Sequence, residues 1–548
     1  MTGFEQQVER TLDLLAKTPS WQDVGARFPE LDESTMRAIV SEAAAFAETV
    51  LAPLNSIGDR EGCRLLDGRV KTPPGFADAY RRFCEAGWLG MDLPEDVGGQ
   101  GLPQTLQAAC APLFERACVS LMMLAGSSRG AAFLLARAAD EDTKAEWIGK
   151  LLSGEWSATI CISEPDAGSD VGRVRTRGTL SHGQWQVTGT KCWISFGDHD
   201  ITSRIGHCLL ARTNDQPGTK GLSLFLVPDR FDDERNAITV ERIEEKMGLH
   251  GSPTCTLRFD AANAILLGRE GNGLPQLFTM IERMRLTTGC QGLGIASASS
   301  DIAHAYARER RQGGAANERP VAIAAHPDVK RQLVILSRQT ETLRAAVLEL
   351  AAAMDLAQHS ENPERRAFFA DFAAWLLPMV KNFGAEIGFD CASRSIQVLG
   401  GAGYTREWPV EQYLRDSRIM SIYEGTTGMQ ALDFLTRRLW RDEGRGLAAF
   451  ATLVERDIAN TARHDASPAA TSALARLLAM TENMERLSGE PEAAFYHADQ
   501  YMRTAWDAVA AWLSLRLPLE ENHHEISRYE SAIGVSPSFT SHVNGRTT

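Results

Sequence analysis

Two long tracts of helical periodicity enclose a short block of strand-like runs, and that order limits the fold more than any other feature of the chain. From Leu31 onward, Met36, Ile39, Val40, Ala43, Ala47, Val50 and Leu51 recur at helical spacing behind a cap at Asp32 or Ser34, with Pro53 expected to end the helix. Further helices are expected at about 76–87 and 106–150. Near Ser157 the texture changes to short β-like runs at 158–162, 184–187, 208–212, 222–227 and 256–259, with His182-Gly183 as a hairpin turn. From Leu274 to about Trp440 long helices return, broken at Gly313-Gly314 and at Gly400-Gly401-Ala402-Gly403. Two further helical runs, at 470–487 and 493–515, precede a polar tail. The expected fold is mainly α with a central β domain. Its blocks are an N-terminal helical domain (1–156), a small antiparallel β domain (157–273), a helical bundle (274–440), an appended helical domain (441–519) and the tail (520–548).

Composition narrows the function classes. A chain of 548 residues, 44% of them hydrophobic, suits a globular enzyme of several packed blocks. Its formal net charge of -14 opposes non-specific attraction to nucleic acid or anionic membranes. The start, Met1 to Gln6, lacks a basic segment followed by an apolar core, so no secretory signal is expected. No uninterrupted apolar run reaches the roughly 18 residues a membrane helix needs. Ten scattered cysteines without a Cys-x-x-Cys pair or zinc-type spacing point to a reduced, cytoplasmic setting and no metal, and His523-His524 stands alone in the tail. No strand-anchored Gly-x-Gly-x-x-Gly supports a Rossmann fold; Gly289, Gly292 and Gly294 lie in a helical pattern and read as sites of close helix packing.

Five short segments carry candidate chemistry. Tyr423-Glu424-Gly425-Thr426 puts one carboxylate on a bend between two helical stretches, where it could serve as a general base. Ser163-Glu164-Pro165-Asp166-Ala167-Gly168-Ser169-Asp170 is a strand running into a turn, in which Glu164 and Asp170 read as turn organisers. Gly189 to Ser195 follows an alternating strand, and Trp193 taken alone reads as a core residue. Tyr306 to Gly313 is a basic helix end, and Gln397-Val398-Leu399-Gly400-Gly401 is a second glycine break.

In this order the segments, from about Phe28 to Arg441, resemble the acyl-CoA dehydrogenase family, whose members oxidise thioesters with bound FAD. The resemblance implies that Glu424 removes the α-proton of an acyl-CoA while a β-hydride passes to flavin N5, giving a trans-2-enoyl-CoA. It also implies that the thioester oxygen is held by the Glu424 backbone N–H and a ribityl hydroxyl, and that electrons leave to an electron-transfer flavoprotein. Desolvation is expected to raise the Glu424 pKa toward the value a base needs. By the same resemblance Ser163, Trp193, Ser195 and Thr426 touch FAD, and Arg310, Gln397, Gly400 and Gly401 touch the FAD of a neighbouring subunit. Ser169, Arg285, Tyr423 and Gly425 then face the substrate, and Met284 stands where some branches carry the base on an earlier helix.

Thr427-Gly428 replaces a segment where many relatives have an FAD-binding glutamine. The 55–63 segment, the Glu309-to-Gly313 helix end and the extra C-terminal helices resemble the larger bacterial subgroup that includes 3-methylmercaptopropionyl-CoA dehydrogenases, and by that resemblance the extra helices imply a homodimer rather than a tetramer. Two other readings stay open on this fold: an acyl-CoA oxidase using O2, and a DNA-associated flavoprotein of the alkylation-response type. The second would need a basic stripe that the C-terminal block lacks.

Overall fold

A computed structural model describes residues 2–231, 234–461 and 465–517; the tail from 520, with His523-His524, lies outside them. The helices before the β block are α1 (Gly3–Ala16), α2 (Pro19–Gly25), α3 (Glu33–Phe46), α4 (Ala52–Glu61), α5 (Phe76–Glu85), α6 (Gln104–Ala138) and α7 (Glu141–Leu152). Asp32 caps α3, its Oδ1 accepting the Thr35 N–H at 2.7 Å. Pro53 does not end the helical run. A π-turn at Ala47–Leu51 carries the chain into α4, with Pro53 in its first turn, where a proline gives up no required N–H. By length and composition α6 could cross a bilayer, yet 89% of its apolar window is buried in the protein.

The chain forms two compact units. One comprises Ala45–Pro103 and Ala117–Thr287. After the hairpin of β1 (Arg64–Leu66) and β2 (Arg69–Lys71), it builds a seven-stranded sheet from β3 (Trp156–Cys161), β4 (Arg177–Ser181), β5 (Gln184–Ser195), β6 (Arg204–Arg212), β7 (Leu222–Pro228), β10 (Ile238–Ile243) and β11 (Thr254–Leu267). Between them lies a small pair, β8 (Arg230–Phe231) and β9 (Glu234–Arg235). Most pairings are antiparallel, but β3 runs parallel to β6, so the block is not purely antiparallel. Because β7 pairs with both β6 and β11, the sheet curls round Val187, Phe225 and Leu257. His182 (φ 51°) and Gly183 (φ 83°) make the expected tight turn between β4 and β5.

The other unit holds the described residues up to Ala44, Gln104–Arg116 and those from Thr288 onward. Its helices are α1 to α3, the start of α6, most of α8 (Gly273–Glu309), α9 (Pro327–His359), α10 (Pro363–Leu399), α11 (Val410–Ser417), α12 (Thr427–Asp433), α13 (Arg445–Asn460), α14 (Ser467–Arg486) and α15 (Pro491–Leu513). The α8 glycines act as expected. A Cβ on Gly292 would stand 1.9 Å from the Gly384 carbonyl oxygen, and one on Gly289 would stand 2.6 Å from Val380 Cγ1, so α8 and α10 cross backbone to backbone. The C-terminal helices join this unit through aromatic pairs, Phe383–Trp506 at 4.8 Å and Trp375–Phe450 at 4.7 Å. A buried ion cluster joins them as well. Arg516 bonds Glu349 of α9 and, at 2.7 Å, Asp457 of α13.

Candidate active site

In the helical unit, Glu424 and Gly425 both take left-handed backbone, φ 54° and 95°. Gly425 does so without strain, whereas for a glutamate this conformation costs roughly 1–2 kcal/mol and persists only where its surroundings enforce it. Two fully buried side chains do so here. Lys381 of α10 donates from Nζ to the Gly425 carbonyl at 2.6 Å, and Gln430 of α12 donates from Nε2 to the Glu424 carbonyl at 2.8 Å. A Cβ at Gly425 would sit 2.6 Å from Gln430 Nε2, so glycine is needed for space as well as for φ. Thr426 caps α12, its hydroxyl accepting the Met429 N–H at 3.4 Å.

Behind Glu424, Tyr423 donates its hydroxyl to Gln291 of α8, and Gln291 in turn hydrogen-bonds Glu115 of α6. Burial pushes the Glu115 carboxyl well above its ordinary value, only partly opposed by Gln291. Burial, with Glu115 and Glu424 nearby, raises the Tyr423 phenol as well. Sequence reasoning missed Lys381, Gln430, Gln291 and Glu115. One of them leaves a legible mark: Lys381 follows Leu376-Leu377-Pro378-Met379-Val380 as a lone charge at the end of an apolar run.

Elsewhere in this unit, Gln397 lies on the last turn of α10, with Gly400 (φ 63°) and Gly401 just beyond it. A Cβ on either glycine would meet nothing within 4 Å, so backbone is openly presented there. Arg310 is exposed just past α8, and its backbone is fixed by Tyr306 and Ile323.

In the β unit, Glu164 organises its turn rather than facing solvent. It accepts the backbone N–H groups of Arg175 and Thr176 and the buried Lys191 ammonium at 2.8 Å. Burial opposes its charge, yet Lys191 and these donors hold its pKa below the usual carboxylate value. The Ser163 carbonyl accepts the Cys192 N–H at 3.0 Å, tying that turn to β5. Two β5 residues, Cys192 and Trp193, stand opposite the single β11 residue Thr256, a bulge that turns Trp193 to φ 63° and leaves it 61% exposed. A core place for Trp193 is thereby ruled out. Ser195, two residues on, is fixed through its carbonyl by Thr159 Oγ1 at 2.7 Å, and Ser169 is exposed. On α8, Arg283 pairs with Asp92 at 3.0 Å, Met284 packs on the apolar core and Arg285 is buried.

Three family models match the chain: the acyl-CoA dehydrogenase N-terminal domain over 33–155, the middle domain over 159–262 and the C-terminal domain over 271–439. The chain belongs to the acyl-CoA dehydrogenase family. It is 38% identical over 465 residues to the 3-methylmercaptopropionyl-CoA dehydrogenase of Ruegeria pomeroyi, covering 82% of this chain and 79% of that one. With the broad-specificity linear acyl-CoA dehydrogenase FadE5 of Mycobacterium tuberculosis it shares 35% identity over 77% of this chain and 72% of the relative. Among solved structures, an acyl-CoA dehydrogenase of Bacillus anthracis complexed with FAD matches with a TM-score of 0.74 at 22% identity, over 89% of this chain and 82% of that one. This last likeness is one of fold, and it extends beyond the three family domains.

Proposed function

We propose that this member of the family is an FAD-dependent dehydrogenase that converts an acyl-CoA to its trans-2-enoyl form, with Glu424 as the base. The observation that carries the reading is the frame round Glu424. A glutamate in left-handed backbone whose segment is gripped by two fully buried side chains is held for a task, which a solvated loop carboxylate never requires. The α-carbon of a thioester is a weak acid, so a base must be fixed against it while hydrogen-bond donors receive the enolate oxygen. Tyr423 and Gly425 flank the base and are assigned to the substrate, with Arg285 and Ser169.

Bound FAD supplies the acceptor for the β-hydride. The residues present fit that cofactor. Trp193 exposes an indole suited to a flat ring system, with Ser195 two residues on in the same strand and Ser163 on the turn tied to it. Gly400 and Gly401 present open backbone beside Gln397, and Arg310 is an exposed cation suited to bidentate phosphate contact. Thr426 completes the assigned set. If Arg310, Gln397, Gly400 and Gly401 serve a neighbouring subunit's cofactor, the working enzyme is a homodimer. We assign electron transfer to an electron-transfer flavoprotein and the reaction to fatty acid β-oxidation or a parallel thioester route. Ten cysteines without a disulfide support a cytoplasmic setting.

The test is anaerobic bleaching of the flavin by short, medium, long, branched, aromatic and methylthio acyl-CoAs, then admission of air. One thioester class should bleach the flavin rapidly, and slow recolouring in air separates a dehydrogenase from an oxidase. Glu424→Gln should keep FAD and bind acyl-CoA while flavin reduction slows by roughly 10²–10⁴, the usual worth of a positioned base. Near-normal bleaching by that variant, or no bleaching of the parent by any thioester, overturns the reading.

A further inference from the structure

We propose that Lys381 is a positioning residue for Glu424, acting through the Gly425 carbonyl in concert with Gln430; the inference rests on the reading of Glu424 as the base. Burying an ammonium is costly unless it makes strong hydrogen bonds, and Lys381 is fully buried on an otherwise apolar stretch of α10. Its Nζ reaches 44 residues along the chain to a backbone carbonyl. Gln430, equally buried, takes the carbonyl immediately before it. With both carbonyls gripped, ψ of Glu424 and of Gly425 are set, and with them the direction in which the Glu424 side chain leaves the backbone.

The anchor is itself immobile. Lys381 lies between Val380 and Gly384, the two α10 residues against which α8 presses through Gly289 and Gly292. On its other side Asn382 bonds Glu386 at 3.2 Å, Glu386 takes two Arg503 bonds at 2.8 Å, and Phe383 stacks on Trp506, which ties this turn of α10 to α15. A carbonyl needing only a partner would be served by any hydroxyl or amide. A cation on a clamped stem instead supplies a strong, short-range hold on the residue next to the base.

The experiment compares wild type with Lys381→Met, close in length but without a donor, and with Gln430→Leu. Both variants should retain FAD and bind acyl-CoA within about threefold of wild type, while anaerobic flavin reduction slows roughly 100-fold, as for a reacting group misplaced by about 1 Å. Lys381→Gln, which keeps a neutral donor, should recover part of the rate. In a Glu424→Gln background, Lys381→Met should add less than about threefold, because its effect passes through Glu424. Amide hydrogen exchange adds a readout independent of turnover: the peptide over 423–428 should exchange at least roughly tenfold faster in Lys381→Met, with α9 unchanged. Wild-type exchange in that peptide, an unaltered reduction rate, or an equal loss in the Glu424→Gln background overturns the inference. Should Lys381→Met fail to fold, Gln430→Leu must show the same split between binding and reduction. Failure of the parent reading shows in wild-type protein that no thioester bleaches, and the exchange measurement then still decides whether Lys381 holds the segment.

Discussion

Arg516 closes the ion cluster that fastens the C-terminal helices, and replacing it with methionine has a calculable consequence. Its guanidinium bonds Glu349, which is fully buried, and Asp457, nearly so, while lying 4.5 Å over the Trp512 ring. After Arg516→Met, Asp457 keeps Arg456 at 2.7 Å and the Trp512 N–H at 2.9 Å. Among the described residues, Glu349 keeps only the Ser20 hydroxyl, at 2.5 Å. The loss therefore falls on Glu349, and stranding one buried partner of an ion pair costs about 3–5 kcal/mol. Amide exchange in α13 and α15 reads this directly if they open as a local unit, and each 1.4 kcal/mol is about a tenfold faster rate, so acceleration by roughly two to three and a half decades is expected. Glu349→Gln alone should cost much less, since the amide oxygen still accepts from Arg516. The double variant Arg516→Met/Glu349→Gln should regain more than half of the loss. If Arg516→Met changes exchange by less than about tenfold, or the double variant is no better than the single, the stabilisation lies in packing over Trp512 and the electrostatic reasoning fails.

Two further outcomes follow from buried titratable groups. Glu115 has its folded pKa raised by burial, so its contribution to stability is full below its ordinary value of 4.5 and declines as pH rises toward the folded value. Glu115→Gln, which can still accept from Gln291, should flatten that decline and gain stability relative to wild type at alkaline pH, and identical pH profiles in denaturant titrations would contradict it. In the β unit, burial lowers His199 and His207 from 6.5 to about 3, so both fold neutral and their contribution, full above 6.5, is lost as pH falls toward 3. His207→Gln should lessen the loss of stability between about pH 6.5 and 4.5, measured by near-ultraviolet dichroism, and an unchanged slope would refute the assignment.

What depends on neighbouring residues was legible before the tertiary structure. Asp32 capping α3, His182-Gly183 turning between β4 and β5, and glycines in α8 spaced for a close helix are local pattern, because a cap, a turn or a helix face is decided within a few residues. Pro53 shows the limit even of local rules, since a π-turn absorbs it without ending the helix.

The motif segments, in their order, were enough to place the chain in its family and to nominate Glu424, the base proposed above. They could not say that Trp193 would leave the core, because a bulge exists only when β5 is set against β11. Nor could they name the partners of the 423–425 segment. Lys381 and Gly425 are 44 residues apart, and Gln291 and Tyr423 are 132. A lone lysine in an apolar helix announces that some buried acceptor must exist, since an unsatisfied cation would not be tolerated. Which acceptor it finds is decided by the packing of the segment before α12 against α10, and only packing in three dimensions brings that carbonyl within reach.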